Sequence, residues 1–235
     1  PVDGLSTASE TVLFDNAAAP PLNISSNGRG VSWEDYDLDG DLDIYLVNYL
    51  AANKLFRNEG SGPFVTSTQL GVAAAGQAGV WGDYDNDGDP DVYICNLTLS
   101  NLLYRNEGNG TFAQMPILGD NGATHVASWG DFDGDGDLDL YLARGTESCK
   151  MYRNDGGTAF SDITSGALGQ LGGVSLAPAD YDLDGDLDIF IAAISADKYL
   201  RNDGGMVFVD ATNGPLGDMG SSLSASSVDY DNDGD

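Results

Sequence analysis

The 235-residue chain sets 38 acidic residues against 9 basic ones, a net charge of −29, and carries 32 glycines, 2 cysteines and one histidine. That excess repels phosphate and excludes nucleic acid as a direct partner, and the lone His125 leaves no Ser/His/Asp or Cys/His set for nucleophilic catalysis. A 41% apolar content is nevertheless enough for a folded core, and no run of 18 apolar residues offers a membrane span.

In chain order, residues 1–30 carry one outer-type strand around Phe14, and four similar units follow over about 31–66, 79–114, 126–162 and 174–210; residues 224–235 begin a fifth. Each unit opens with a short strand leading into an acidic cluster. After it comes a β-branched and aromatic run: LDIYLVN from Leu42, PDVYICN from Pro90, LDLYLAR from Leu138 or LDIFIAA from Leu187. A third strand, KLFRN, LLYRN, KMYRN or KYLRN, leads to a Gly-bearing turn, and a fourth is centred on a recurring Phe. The clusters start at Asp35, Asp83, Asp131, Asp180 and Asp229, at spacings of 48, 48, 49 and 49. Arg57, Arg105, Arg153 and Arg201 keep a period of 48, each followed by Asn58, Asn106, Asn154 or Asn202, and so do Phe64, Phe112, Phe160 and Phe208. Glycine this frequent disfavours helical repeats, since each interior glycine costs a helix about 1 kcal/mol. Four strands in about 48 residues define the blades of an all-β propeller. With about four complete blades and partial flanks, the expectation is an arc with exposed sides or a piece of a longer protein. Pro1 at the start and Asp235 inside an acidic cluster agree with a trimmed chain.

The clusters share one nine-residue pattern, Asp-x-Asp-x-Asp-Gly-Asp-x-Asp. Its carboxylates are Asp35, Asp37, Asp39, Asp41 and Asp43; Asp83, Asp85, Asp87, Asp89 and Asp91; Asp131, Asp133, Asp135, Asp137 and Asp139; and Asp180, Asp182, Asp184, Asp186 and Asp188. A fifth copy, with Asp229, Asp231 and Asp233, stops before its ninth position. Five like charges in nine residues call for a compensating cation. Alternating carboxylates followed by a turn glycine fit Ca²⁺, which takes six to eight oxygens, better than Mg²⁺, while zinc and copper lack nitrogen and sulfur donors here. Positions 1, 3, 5 and 9 are assigned as side-chain ligands, and position 7 as a backbone-carbonyl ligand with its carboxylate outward. An EF-hand would need Glu at position 12 and a following helix; position 12 is Leu46, Ile94, Leu142 or Ile191, inside a strand. Four ions would add +8 and leave −21.

The segments VWGDYDNDGDPDVYICN and SWGDFDGDGDLDLYLAR, with LYRNEGNGTF, resemble FG-GAP/VCBS repeats of the integrin α N-terminal type, and are especially similar to ASPIC/UnbV, cartilage acidic protein-like proteins. The resemblance implies a seven-bladed propeller, Ca²⁺ between the first two strands of a blade, and a secreted or cell-surface setting. The chain has only about four and a half repeats and no recognisable ASPIC/UnbV segment.

Trp33, Trp81 and Trp129 recur two residues before the first Asp and read as inter-blade packing, with sugar stacking as the alternative. The recurring arginines read as structural partners of strand ends or acidic loops, and His125 as a surface or inter-blade residue. Cys95 and Cys149 form one bridge or none; their different repeat positions favour two buried thiols. Asn23, Asn96 and Asn109 open Asn-x-Ser/Thr triplets, glycosylated only in a eukaryotic secretory pathway. The functional expectation is a non-enzymatic, extracellular calcium-binding scaffold for recognition or adhesion, its protein or glycan ligand open. The alternatives are a lectin with inter-blade sites and an accessory domain of a larger secreted enzyme.

Overall fold

A computed structural model describes residues 22 and 27–228, except 61, 72, 117, 119, 121, 170, 171, 218 and 219. The expected strand around Phe14 and the truncated cluster Asp229, Asp231 and Asp233 lie outside the described residues.

Four antiparallel meanders follow one another along the chain. Blade 1 is β1 (Gly28–Glu34), β2 (Asp43–Ala52), β3 (Lys54–Arg57) and β4 (Val65–Ser67). Blade 2 is β5 (Ala73–Gly82), β6 (Asp91–Asn96), β7 (Leu102–Asn106) and β8 (Phe112–Gln114). Blade 3 is β9 (Val126–Gly130), β10 (Asp139–Ala143), β11 (Lys150–Asn154) and β12 (Phe160–Asp162). Blade 4 is β13 (Gly173–Ala179), β14 (Asp188–Ala193), β15 (Lys198–Asn202) and β16 (Phe208–Asp210). The result is an all-β propeller architecture, and no helix among the described residues is long and apolar enough to cross a membrane.

The repeat fixes the register as well as the order. Trp33 faces Ile44, Trp81 faces Val92, Trp129 faces Leu140 and Pro178 faces Ile189, so each acidic loop joins strands paired in the same way. The second strands carry continuous apolar runs because both their faces are covered: every residue of β6 and of β10 is buried. One departure from separate blades occurs. The end of β2 pairs with the start of β5, joining blades 1 and 2 into one eight-stranded sheet. Gly76 permits that approach, since a Cβ there would collide with Val47.

The core lies between blades rather than within them. Tyr36, Tyr45, Val47 and Leu55 of blade 1 pack on Val92, Ile94 and Tyr104 of blade 2. Tyr84, Tyr93, Cys95 and Leu103 meet Leu140, Leu142 and Tyr152 of blade 3, whose Phe132, Tyr141 and Met151 meet Ile189, Ile191 and Leu200 of blade 4. Beyond blade 4, the segment before residue 228 runs along β13 without strand pairing: Ser222 donates its N–H to the Ala193 carbonyl (2.9 Å) and Ala225 to Ser175 Oγ (3.2 Å).

Candidate metal sites

Each acidic loop spans the gap between the first and second strands of its blade, and all four close with the same bonds. The position 1 carboxylate caps the turn. Asp35 accepts the N–H groups of Asp39 (3.0 Å) and Gly40 (2.9 Å), and Asp83, Asp131 and Asp180 accept their counterparts at 2.9–3.1 Å. The position 5 carboxylates, Asp39, Asp87, Asp135 and Asp184, each accept the N–H of position 7 at 2.9–3.0 Å. The glycines at position 6 take φ of 94–100°, open to glycine at no steric cost. At position 4 the left-handed conformation falls on Leu38 (φ 56°), Asn86 (φ 58°) and Leu183 (φ 60°). A branched side chain held there costs of order 1–3 kcal/mol and persists only where surrounding structure enforces it.

The position 9 carboxylates sit at the start of the second strands and are the most buried. Asp43, Asp91, Asp139 and Asp188 are at most 1% exposed. In each, one oxygen accepts the N–H of position 2 (Tyr36, Tyr84, Phe132 or Tyr181, at 2.9–3.2 Å) and the other accepts the N–H of the Asn after the recurring Arg, at 2.7–2.8 Å. Asp188 also accepts the Tyr199 hydroxyl (2.8 Å). At position 3, Asp37, Asp85 and Asp133 are partly buried and Asp182 is exposed, and Asp37 Oδ1 and Asp85 Oδ1 are buried without a hydrogen-bond partner among the described residues.

Carboxylate oxygens of Asp83, Asp85 and Asp91 lie within 4.8 Å of one another, as do those of Asp131, Asp133 and Asp139, and of Asp180, Asp182 and Asp188. In the first loop the group is Asp35, Asp37 and Asp39. Positions 1 and 3 therefore meet in every described loop, joined by position 9 in three and by position 5 in one. The position 7 carboxylates are in none of these groups. Asp41 and Asp89 lie over the turn glycines Gly60 and Gly108 of their own blades, near where a Cβ on either glycine would sit, Asp186 lies near Gly204, and Asp137 accepts Asn86 Nδ2 of the neighbouring loop (2.7 Å).

Electrostatics points the same way. Desolvation, with repulsion from the position 3 and 5 carboxylates, outweighs the hydrogen bonds and pushes Asp43 up to about 6 and Asp91 and Asp139 to about 7. Burial and then the neighbouring Asp raise Asp37, Asp85, Asp133 and Asp182 too. A divalent cation would reverse these shifts and satisfy the orphaned oxygens. An all-oxygen donor set with no imidazole or thiolate suits a hard ion.

The recurring arginines serve the turns. Arg105, Arg153 and Arg201 pair with Glu107, Asp155 and Asp203, and Arg57 pairs with Glu59 and reaches Asp37 (3.4 Å). The neighbouring asparagines, which sequence reasoning noted and gave no role, hold the loops. Asn106 Nδ2 donates to the Tyr36 carbonyl of the preceding blade (2.7 Å), Asn154 to that of Tyr84 (2.7 Å) and Asn202 to that of Phe132 (2.8 Å). Their shared period was the available signal.

Trp81 packs on Tyr36, Tyr45 and Phe112, with ring centroids 5.9–6.4 Å apart, and Trp129 repeats this on Tyr84, Tyr93 and Phe160. The contacts with Tyr36 and Tyr45, and with Tyr84 and Tyr93, cross between blades, whereas those with Phe112 and Phe160 lie within the Trp's own blade. Trp33 is 54% exposed. Cys95 and Cys149 are free and buried. One sequence expectation is corrected: Asn96 is no glycosylation acceptor in the folded chain, because it is fully buried and its amide donates to the Ser100 carbonyl (2.8 Å). Asn109 is exposed, and Asn23 lies outside the described residues. His125 is partly buried against Gly145, and burial lowers its pKa.

The chain belongs to the FG-GAP-like repeat family, which matches residues 35–94, 83–142, 131–191 and 180–235. Among solved structures it is similar to an Agrocybe aegerita lectin that recognises non-reducing terminal N-acetylglucosamine, at 21% identity and a TM-score of 0.52, over 82% of this chain and 52% of that one. It is also similar to the V. cholerae biofilm matrix protein Bap1, at 18% identity and a TM-score of 0.43, over 76% of this chain and 29% of that one. The chain thus spans about half the lectin's length or less than a third of Bap1's. No curated protein matches it.

Proposed function

We propose that this FG-GAP-like repeat chain is a non-enzymatic, extracellular β-propeller module in which Ca²⁺ braces the loop between the first two strands of each blade, presenting a rigid scaffold for recognition or adhesion. The observation that carries the reading is the repeated convergence of three carboxylates within 4.8 Å, with buried, unpartnered oxygens on Asp37 and Asp85. Positions 1, 3 and 9 would supply side-chain oxygens, position 5 a fourth, and position 7 its carbonyl. The ion supplies positive charge that lets these groups stay ionised together in a buried loop. Extracellular calcium modules often bind at about 10⁻⁴ to 10⁻³ M. At 10 mM CaCl₂, each such site then adds roughly 1.4–2.7 kcal/mol by mass action. Thermal melting of chelator-treated protein in CaCl₂ against EGTA tests this: a clear upward shift is expected, and coincident curves overturn it.

A second reading, carbohydrate binding between blades, has one specific observation. A groove of about 420 Å³ between blades 2 and 3 is lined by Tyr84, Leu103, Met115 and Phe160, and the buried Tyr84 hydroxyl has no hydrogen-bond partner among the described residues. In blade 1 the matching Tyr36 hydroxyl meets Ser67, whose place Met115 takes. Glycan-array binding that is lost in Tyr84→Phe supports this reading, and an empty array removes it.

A further inference from the structure

The four loops are not independent. Asp43 accepts the Tyr36 N–H (3.2 Å), and the carbonyl of the same Tyr36 accepts Asn106 Nδ2 (2.7 Å) from the next blade. The Asn106 N–H then donates to Asp91 (2.8 Å), which also accepts the Tyr84 N–H (3.1 Å). Tyr84's carbonyl accepts Asn154 Nδ2 (2.7 Å), whose N–H reaches Asp139 (2.8 Å). Asp139 accepts the Phe132 N–H (2.9 Å), Phe132's carbonyl accepts Asn202 Nδ2 (2.8 Å), and the Asn202 N–H ends on Asp188 (2.8 Å). One unbroken line of hydrogen bonds therefore runs through the position 9 carboxylate of every described loop. Its carboxylates and asparagines are at most 1% exposed, so water does not compete for the bonds. Blades 2 and 3 have a second link, in which Asn86 Nδ2 reaches both Asp137 Oδ1 (2.7 Å) and the Gly136 carbonyl (3.4 Å) across the two loops. Elsewhere position 4 is Leu38, Gly134 or Leu183, which carry no side-chain donor.

We infer that the asparagines of the recurring Arg-Asn pair are positioning residues that couple calcium binding between adjacent blades, so that an ion in one loop raises the affinity of its neighbours. This rests on the calcium reading above. An ion that draws Asp91 into its shell fixes the peptide groups of Tyr84 and Asn106. The same two residues reach the neighbouring blades, the Tyr84 carbonyl accepting Asn154 Nδ2 on one side and Asn106 Nδ2 donating to the Tyr36 carbonyl on the other. The ordering cost of the shared segment is then met by the first ion and spared the second, and the coupling is reciprocal.

The test uses the full chain with Asp37→Ala and Asp182→Ala, which leaves the loops at 83–91 and 131–139 intact, titrated calorimetrically with CaCl₂ after chelator treatment. The expected result is two ions, the second binding about 5-fold tighter than the first, and a Hill slope above 1. Adding Asn154→Ala to a chain that circular dichroism shows folded lowers the slope, and adding Asn86→Ala as well brings it to 1. Asn58→Ala leaves it unchanged, because among the described residues the Asn58 amide bonds only within its own blade, donating to the Leu42 carbonyl and accepting the Gly60 N–H. If N154A does not fold, the parent carrying Asp85→Ala decides: its one remaining site must bind about 5-fold more weakly than the parent's second step, and equal affinity overturns the coupling. Two ions with a slope of 1 in the parent likewise refute the relay while leaving calcium binding intact. No binding heat at all refutes the calcium reading instead.

Discussion

Replacing Trp81 by alanine separates packing from ligand stacking, because Trp33 supplies the same residue at the same blade position without the same surroundings. Trp81 packs its ring on Tyr36, Tyr45 and Phe112, and its Nε1 donates to Ser32 Oγ (3.0 Å). Truncating a core aromatic costs about 3–5 kcal/mol. Trp81 is only partly buried, so a loss of about 2–4 kcal/mol is expected, including some of the roughly 0.5–1.5 kcal/mol carried by each aromatic pair. Trp33 is 54% exposed, and none of the ring pairs among the described residues involves it; Trp33→Ala should change stability by no more than about 0.5 kcal/mol. For a chain of this size the contrast corresponds to a drop in Tm of roughly 4–16 °C for Trp81→Ala and little for Trp33→Ala. Both melts belong in saturating CaCl₂, so that site occupancy does not vary. Equal shifts for the two variants would refute inter-blade packing as the reason for the recurring Trp.

Calcium-free protein should lose stability as pH rises from about 4 to about 7. The folded chain holds Asp91 and Asp139 up at about 7, above the usual carboxylate range, so it binds protons that the unfolded chain has already released. Saturating CaCl₂ replaces those protons and should flatten the dependence; urea midpoints across the pH range check this, and apo stability that rises over the window contradicts it. Gly108→Ala should destabilise the chain by about 1–2 kcal/mol, because φ is +67° and the new Cβ would lie 2.5 Å from Asp89 Oδ2, an effect readable in urea melts with and without Ca²⁺. Cys95 and Cys149 should resist a thiol reagent in the native chain and react together only in denaturant, without prior reduction. Two thiols that stay silent in denaturant would instead mean a bridge.

The 48-residue period, read with glycine and β-branched composition, was enough to identify a four-stranded blade, because one local pattern repeated four times leaves few architectures that bury each unit's apolar face. The alternation of Asp around a turn glycine was likewise enough to identify an oxygen-lined loop, since carboxylate spacing within nine residues is a local property of the chain. Whether position 5 or position 9 joins positions 1 and 3 in a given loop was not legible. Only the loop's hydrogen bonds send Asp41 and Asp89 over their turns, Asp91 and Asp139 into burial, and Asp37 Oδ1 and Asp85 Oδ1 into unpartnered positions. The pairing of β2 with β5 rests on the approach permitted at Gly76, a contact between residues about 29 apart. The asparagine relay escaped for the same reason: Asn106 donates to a carbonyl 70 residues earlier, a separation at which only the stacking of one blade on the next decides who meets whom. Local chemistry is written in spacing, whereas contacts between blades are set by how the sheets stack around the axis, and that comes into being only on folding.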